Sequence, residues 1–445
     1  MTSTNLKPIK VGLLGVGTVG SGTFRVLERN QEEIRRRAGR SIEISMVAAR
    51  NVERARSIVG GGVTVVGDPF EVVNHPDIEI VVEVMGGTTL AKDLVMQAIA
   101  NGKHVVTANK ALLAIHGNEV FAAAQAQGVM VAFEGAVAVS IPIIKALREG
   151  LSANRIEWVA GIINGTTNFI LSEMRDKGLD FGVVLKEAQR LGYAEADPTF
   201  DIEGVDAAHK ATILSAIAFG IPVQFDKAYV EGIVHLAAAD ISYAYQLGYR
   251  IKLLGITKRT QHGIELRVHP TLIPVKRLLA NVEGSMNGIM VKSDAAGITM
   301  YYGAGAGSEQ TASAVIADLV DVTRLHTADA AQRVPHLAFQ PDSMSDTPVL
   351  SMGEVVTSYY LRLNVADKAG VLASVTGILA GAGISIDAML QREADEVGGE
   401  GATQTDLIIL THDCVEAKMN DALAQMQALP TVLSPITRIR KEELA

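Results

Sequence analysis

Cysteine is almost missing from this chain: Cys414 is the one thiol among 445 residues. A single thiol excludes an intrachain disulfide and a thiolate metal cluster. It also narrows any redox chemistry, because oxidising an aldehyde to the acyl level commonly uses a thiolate to hold the intermediate, and Cys414 sits in a C-terminal segment that reads as a separate module. No long basic run is present, and 49 acidic against 40 basic residues leave a formal charge of −9, so nucleic acid is not an expected partner. Long apolar runs are absent too. The longest candidate is bounded by Glu134 and Lys145, too short to span a bilayer. The apolar run from Val11 is short and broken by glycine, unlike a signal peptide. A soluble cytoplasmic protein is expected, with no membrane partner. Aromatics are sparse at 4%, whereas 48% of residues are hydrophobic and 42 are glycine. That balance suits an α/β protein rich in tight turns, with two or three domains.

The first strong pattern is a buried strand, 10–14, running into GVGTVG. Gly15, Gly17 and Gly20 match GxGxxG, with Thr18 and Val19 between, and an amphipathic helix is expected to about Arg37. Such glycines allow a tight turn, close approach of backbone to a pyrophosphate, and close packing of helix on strand. Strands expected over 42–48, 78–85, 104–107 and 129–133, with helices between, complete a Rossmann dinucleotide-binding fold. The second strand ends Ala48-Ala49-Arg50-Asn51, with no acid to take a ribose 2′-hydroxyl. Arg50 there suits a 2′-phosphate, which points to NADP with NAD possible; an ordinary surface arginine is the alternative. Gly86 and Gly87, followed by Thr88, lie at one strand end facing the cofactor crevice. Lys110 opens a helix after another, where a cation opposes the helix dipole. Its ammonium suits an anionic group or a proton, though it could simply be solvated.

The middle of the chain is organised around 195–210, EADPTFDIEGVDAAHK, with five carboxylates and a closing lysine. Asp206 and Lys210 are four apart in a segment that ends at Gly220-Ile221-Pro222, so they should share a helix face. Ile213 and Ile217 lie on that face, so the amine is expected to be partly buried, where charge needs a partner. A solvated pair worth ~0.3–0.5 kcal/mol is the plainer reading. Upstream, a helix over 143–150 and a strand over 155–163 lead to NGTTNFIL, where Asn164, Thr166 and Thr167 are N-cap candidates; the free amides of such a start also suit a carboxylate. The acidic stretch lacks calcium-loop spacing. A substrate ammonium would relieve its repulsion, with Asp201 among the acids that face it. A strand around 300–302 enters GAGAGSEQTASAV, a second glycine-rich helix start expected to return to the cofactor through Gly305; a purely structural turn is the alternative.

Together GVGTVG, VTANKALLA, AGIINGTTNFIL, GYAEADPTFDIEGVDAAHK and GAGAGSEQTASAV resemble the homoserine dehydrogenase family over roughly residues 10–340. The resemblance implies reversible reduction of aspartate 4-semialdehyde to homoserine with NAD(P)H. It implies that Lys210 exchanges the proton, that Glu195 holds the substrate, and that Lys110 and Asp206 belong to the site. It also implies a monovalent cation, Na or K, held mainly by backbone carbonyls of Glu134, Val137, Val139 and Ile141. Here the chain departs from the family, with Val139-Ser140 where a glycine pair is usual. Valine resists positive φ, so strain is expected at Val139.

From 341 to 348 the composition turns to Pro, Asp, Ser and Met and reads as a linker. A βαββαβ pattern follows: strand 359–365, helix 371–380, strand 384–391, a polar loop 393–401, strand 405–411, helix 415–428 and strand 432–439. It resembles an ACT domain through Asp367-Lys368-Ala369-Gly370-Val371-Leu372 and the strand bearing Ile386. That resemblance implies threonine as an effector and pairing of modules between subunits, in a homodimer or homotetramer; a dimerisation module without ligand is the alternative. The expected layout is a Rossmann domain over 1–138, a substrate domain over 139–340 whose last helix (308–322) returns to the Rossmann domain, a linker over 341–357 and the ACT-like domain over 358–445. Two other readings compete. A non-catalytic sensor would not need Lys110, Glu195, Asp206 and Lys210 together, and GYAEADP argues against an imine-reducing enzyme.

Overall fold

The computed structural model describes residues 6–392 and 403–444, so the polar loop expected over 393–401 lies outside the described residues. The chain divides into two units. One comprises Met1–Val159, Ala208–Ala228 and Met286–Thr347; the other comprises Ala160–Ala207, Tyr229–Ser285 and Pro348–Ala445.

The first unit carries a six-stranded parallel sheet. Its spatial order is Thr64–Val66, Ile42–Ala48, Ile9–Leu14, Ile80–Glu83, His104–Thr107 and Val131–Ala132. The order reverses beside Ile9–Leu14, which is the switch point where doubly wound sheets take dinucleotides. The strands read as continuous apolar runs because helices cover both faces. The helix Ser308–Leu325 puts Ala312, Val315, Ile316 and Leu319 into the same core as Val11, Leu13 and Val26. The helix expected to run to Arg37 is two, Thr18–Arg29 and Gln31–Ala38, broken at Asn30; asparagine competes for backbone bonds and is a weak helix interior residue. The strand Ile80–Glu83 stops short of Met85 because the buried Glu83 carboxylate takes the Met85 and Gly86 amides, at 2.9 and 3.0 Å.

The short edge strand Val131–Ala132 is held by imidazoles. His104 Nδ1 faces the Met130 amide at 2.9 Å and His336 Nε2 faces the Val131 amide at 3.1 Å. Both rings must stay neutral to accept. Burial, helped by neighbouring charge from His326 and Arg148 respectively, lowers their pKa values to about 3 and about 4. A histidine with a depressed folded-state pKa contributes nothing to pH dependence above about 6.5. Below that, the unfolded chain takes up protons that the fold refuses. Each ring should therefore cost about 2 kcal/mol by pH 5. Denaturation midpoints measured from pH 7 to pH 5 should fall, and His336→Gln should flatten the slope; a flat wild-type profile would contradict the neutral-ring account.

The second unit is built on one sheet in the order Tyr249–Arg259, Ile264–Pro274, Thr437–Lys441, Val356–Ala366, Gln404–Thr411 and Ile386–Gln391. The last four, with helices Val371–Gly381 and Glu416–Gln427, form the βαββαβ module, and its core joins Tyr359, Leu363, Val375, Ile409 and Met426. The module is not set apart from the sheet before it. Thr271 and Leu272 pair in parallel with Arg440 and Lys441. The final strand begins at Thr437 instead of 432, leaving Val432 with only an isolated bridge to Val365; Pro435, which has no amide to donate, lies between. Arg440 is completely buried, held by Glu416, by Glu231 at 2.8 Å and by the Tyr229 hydroxyl at 3.1 Å. Burial alone would push the Glu416 carboxyl up, and Arg440 with Arg438 more than reverses that. Cys414 is buried and burial raises its thiol to about 11, so it is inert. No helix among the described residues is long and apolar enough to cross a membrane.

Candidate active site

Gly15 adopts φ +99°, and a Cβ on Gly20 would stand 2.0 Å from the Gly15 carbonyl oxygen, so neither position admits a side chain without displacing the turn. Around Gly17 the space is open. The turn is tied to its strands by Gly15 N to Ala48 O, 3.0 Å, and Val84 N to Leu14 O, 3.1 Å. This leaves the start of the helix Thr18–Arg29, carrying Thr18 and Val19, free to meet an anion. Arg50 is exposed just past the second strand.

Two residues that composition and spacing did not single out shape the neighbouring strand ends. Glu83 receives the Thr107 hydroxyl at 2.8 Å besides the Met85 and Gly86 amides. Asn109 caps the helix Lys110–Gln127, accepting from Leu112 N at 3.1 Å, and donates to Gly87 O at 2.7 Å. Gly86, Gly87 and Thr88 are thereby fixed against the start of the helix on which Lys110 is the first residue. A cation there faces the positive end of the helix dipole.

The second glycine-rich turn, 303–307, lies in the same unit. Ser308 Oγ donates to Thr18 O at 2.6 Å, and a Cβ on Gly22 would meet Ser308 at 2.5 Å, so the two glycine turns start helices that touch. Gly305 sits mid-turn. The Ser140 hydroxyl donates to Ala304 O at 2.7 Å, holding the segment 134–141 to this turn. The strain expected at Val139 is not there: positive φ falls on Ala138, at +53°. Alanine has one β-carbon and no branch, so it adopts that region at lower cost than valine. Glu134 anchors the segment. Its carboxyl takes the Ile144 and Lys145 amides, both at 2.9 Å, and its own amide donates to Asp318 at 2.8 Å. Burial raises the Glu134 carboxyl to about 7 against the pull of those amides. The helix it caps is α-wound only over Ile143–Lys145 and π-wound over Ala146–Gly150, where a uniform helix was expected.

In the second unit Asn164 is the hub. It caps the helix Gly165–Lys177, its oxygen accepting from Thr167 N at 2.8 Å, and its amide nitrogen donates to Asp201 at 2.7 Å and Asp206 at 2.9 Å. Both amide hydrogens are thus committed, so Asn164 orders carboxylates. Thr166 donates its hydroxyl to Tyr193 O at 2.8 Å. Glu195 is exposed on the turn that follows Tyr193. Asp206 is 4% exposed and Lys210 8%, and both belong to the helix Val205–Phe219. The helix begins in the second unit with Asp206 and continues in the first with Lys210. Asp206 and Lys210 are thus a buried carboxylate and a buried amine one helical turn apart in sequence.

Family models for the homoserine dehydrogenase NAD-binding domain match residues 15–134, for homoserine dehydrogenase 142–320, and for the ACT domain 359–430. A homoserine dehydrogenase from Pseudomonas aeruginosa is 60% identical over 439 residues, spanning 99% of this chain and 100% of its own. The chain belongs to the homoserine dehydrogenase family. Homoserine dehydrogenase of Thiobacillus denitrificans has the same fold, with a TM-score of 0.94 at 66% identity over 99% of both chains. That of S. aureus follows at 0.74 and 31% identity, over 98% of this chain and 99% of its own. As a homoserine dehydrogenase family member the protein is an enzyme, an oxidoreductase with a Rossmann NAD(P)-binding domain and a C-terminal ACT domain.

Proposed function

We propose that Lys210 is the group that exchanges the proton as homoserine and aspartate 4-semialdehyde are interconverted, and that NADP(H) is the preferred dinucleotide. The observation that carries this reading is the buried Asp206–Lys210 pair, one turn apart on a single helix. Lys210 gives a proton to the aldehyde oxygen in reduction and takes it from the hydroxyl in oxidation. Asp206, held by Asn164, keeps the amine oriented, and Asp201 shares the same amide. Glu195 pairs with the substrate ammonium, and Lys110 attracts the anionic parts of substrate or dinucleotide. Thr166 fixes the turn that bears Glu195 through Tyr193.

The first glycine turn (Gly15, Gly17, Thr18, Val19, Gly20), Gly86, Thr88, Lys110 and Gly305 would hold the dinucleotide, with Arg50 on its 2′-phosphate. Open space at Gly17 and the cramped Gly15–Gly20 contact fit such a ligand. The bound dinucleotide supplies the hydride in one direction and accepts it in the other. A monovalent cation, Na or K, on carbonyls of Glu134, Val137, Val139 and Ile141 belongs to this reading; the left-handed turn at Ala138 supports it, since it redirects the carbonyls on either side. Threonine is the proposed effector, taken by the ACT domain around Asp367, Gly370, Val371, Leu372 and Ile386, in a homodimer or homotetramer in the cytoplasm. Gly370 begins the helix Val371–Gly381 at φ +90°, and Ile386 lies on the sheet's edge strand, which supports a ligand or second module there.

Purified enzyme given homoserine should form reduced dinucleotide faster with NADP than with NAD, and threonine should slow it. Arg50→Ala should weaken NADP use by roughly tenfold, the worth of one charge-assisted bond, and leave NAD unchanged. Equal loss with both dinucleotides would remove Arg50 from the site.

A further inference from the structure

Asn287 lies on the strand Met286–Ser293, opposite Gly303 on the strand Gly297–Ala304, and is completely buried. Among the described residues, neither Nδ2 nor Oδ1 has a hydrogen-bond partner. Shutting an unpaired amide away from water is unfavourable, and an apolar group of the same shape avoids that cost. The amide does not face bulk core. A Cβ built on Gly305 would stand 2.2 Å from Asn287 Nδ2 and 2.3 Å from its Cγ and Oδ1, so the amide lies flat on the Gly305 Cα. The 303–307 turn is fastened at both ends, by Ser140 on Ala304 and by Ser308 on Thr18. Its middle rests on the unsatisfied amide.

We propose that Asn287 is a positioning residue for the dinucleotide, making its hydrogen bonds to the 303–307 turn in the ligand-bound arrangement of that turn. The inference rests on the reading that the two glycine turns hold the dinucleotide. A ligand shifts a turn only as far as it binds one arrangement better than the other. The amide adds its bonds to the bound arrangement alone and so strengthens binding without touching the ligand. Its burial against Gly305 leaves no room for a side chain at 305, which accounts for the glycine there.

The test is Asn287→Leu in the full chain, with NADPH as probe, reading Kd from NADPH fluorescence and Tm in its absence. Kd should rise about tenfold, while the ligand-free Tm stays level or rises. A merely structural asparagine would move Tm and leave Kd within about twofold of wild type, and that result overturns the proposal. Should the leucine variant not fold, Asn287→Ser is judged by the same Kd criterion. Wild-type protein that fails to bind NADPH would instead take down the underlying reading, and this inference with it.

Discussion

Lys210→Met should lower kcat by about 10²–10⁴-fold, the usual worth of a positioned proton donor, while NADPH should bind with unchanged affinity. Methionine keeps most of the apolar stem that a buried lysine contributes, so loss of packing is not confounded with loss of the amine. The split between kcat and Kd is the informative part. A side chain that only filled space would move Tm and leave turnover nearly intact. A residue needed for cofactor binding would raise Kd. Steady-state rates in both directions, with NADPH titration of the same preparation, distinguish these outcomes. Turnover within a few-fold of wild type would retire Lys210 as the proton-exchanging group.

Arg440→Met should destabilise the second unit by about 3–5 kcal/mol, because it leaves buried carboxylates without their guanidinium. Glu416 is 2% exposed and, among the described residues, would keep only Arg438, at 3.0 Å, and the Tyr359 hydroxyl, at 2.8 Å. Urea unfolding with unchanged m-value measures the loss directly. Pairing the change with Glu416→Leu should recover part of it, since an apolar pair replaces a buried ion pair at little cost. A loss under about 1 kcal/mol would show that water reaches the site and that the network is effectively a surface one.

Much of the architecture was legible because it rests on local pattern. GVGTVG between a strand and a helix, and the alternation that follows, specify the Rossmann fold without reference to distant residues. Asp206 and Lys210 declared their common face by spacing alone. The supports of the site were not legible, because their partners are far apart in sequence. Thr107 reaches Glu83 across 24 positions, Asn109 reaches Gly87 across 22, and Asn164 reaches Asp206 across 42. Nothing in hydrophobic period reports a contact of that kind. The run TRIRK at 437–441 looks like a solvated basic strand, yet Arg440 is wholly buried, because Glu231 and Glu416 meet it there. Strain is expected at Val139 because valine resists positive φ, whereas the turn falls one residue earlier, where the smaller Ala138 bears it.

The ladder joining Thr271 and Leu272 to Arg440 and Lys441 constrains how the C-terminal module can speak to the rest of its sheet. Side chains alternate sides along a strand, so a slide by one position would swing Arg440 from the interior to the opposite face and strand two acids in the dark. Sliding therefore carries the same cost as stripping those acids of their guanidinium, about 3–5 kcal/mol. A movement of the module that keeps both rungs intact would reach Ile264–Pro274 as a change of twist, with every pairing preserved.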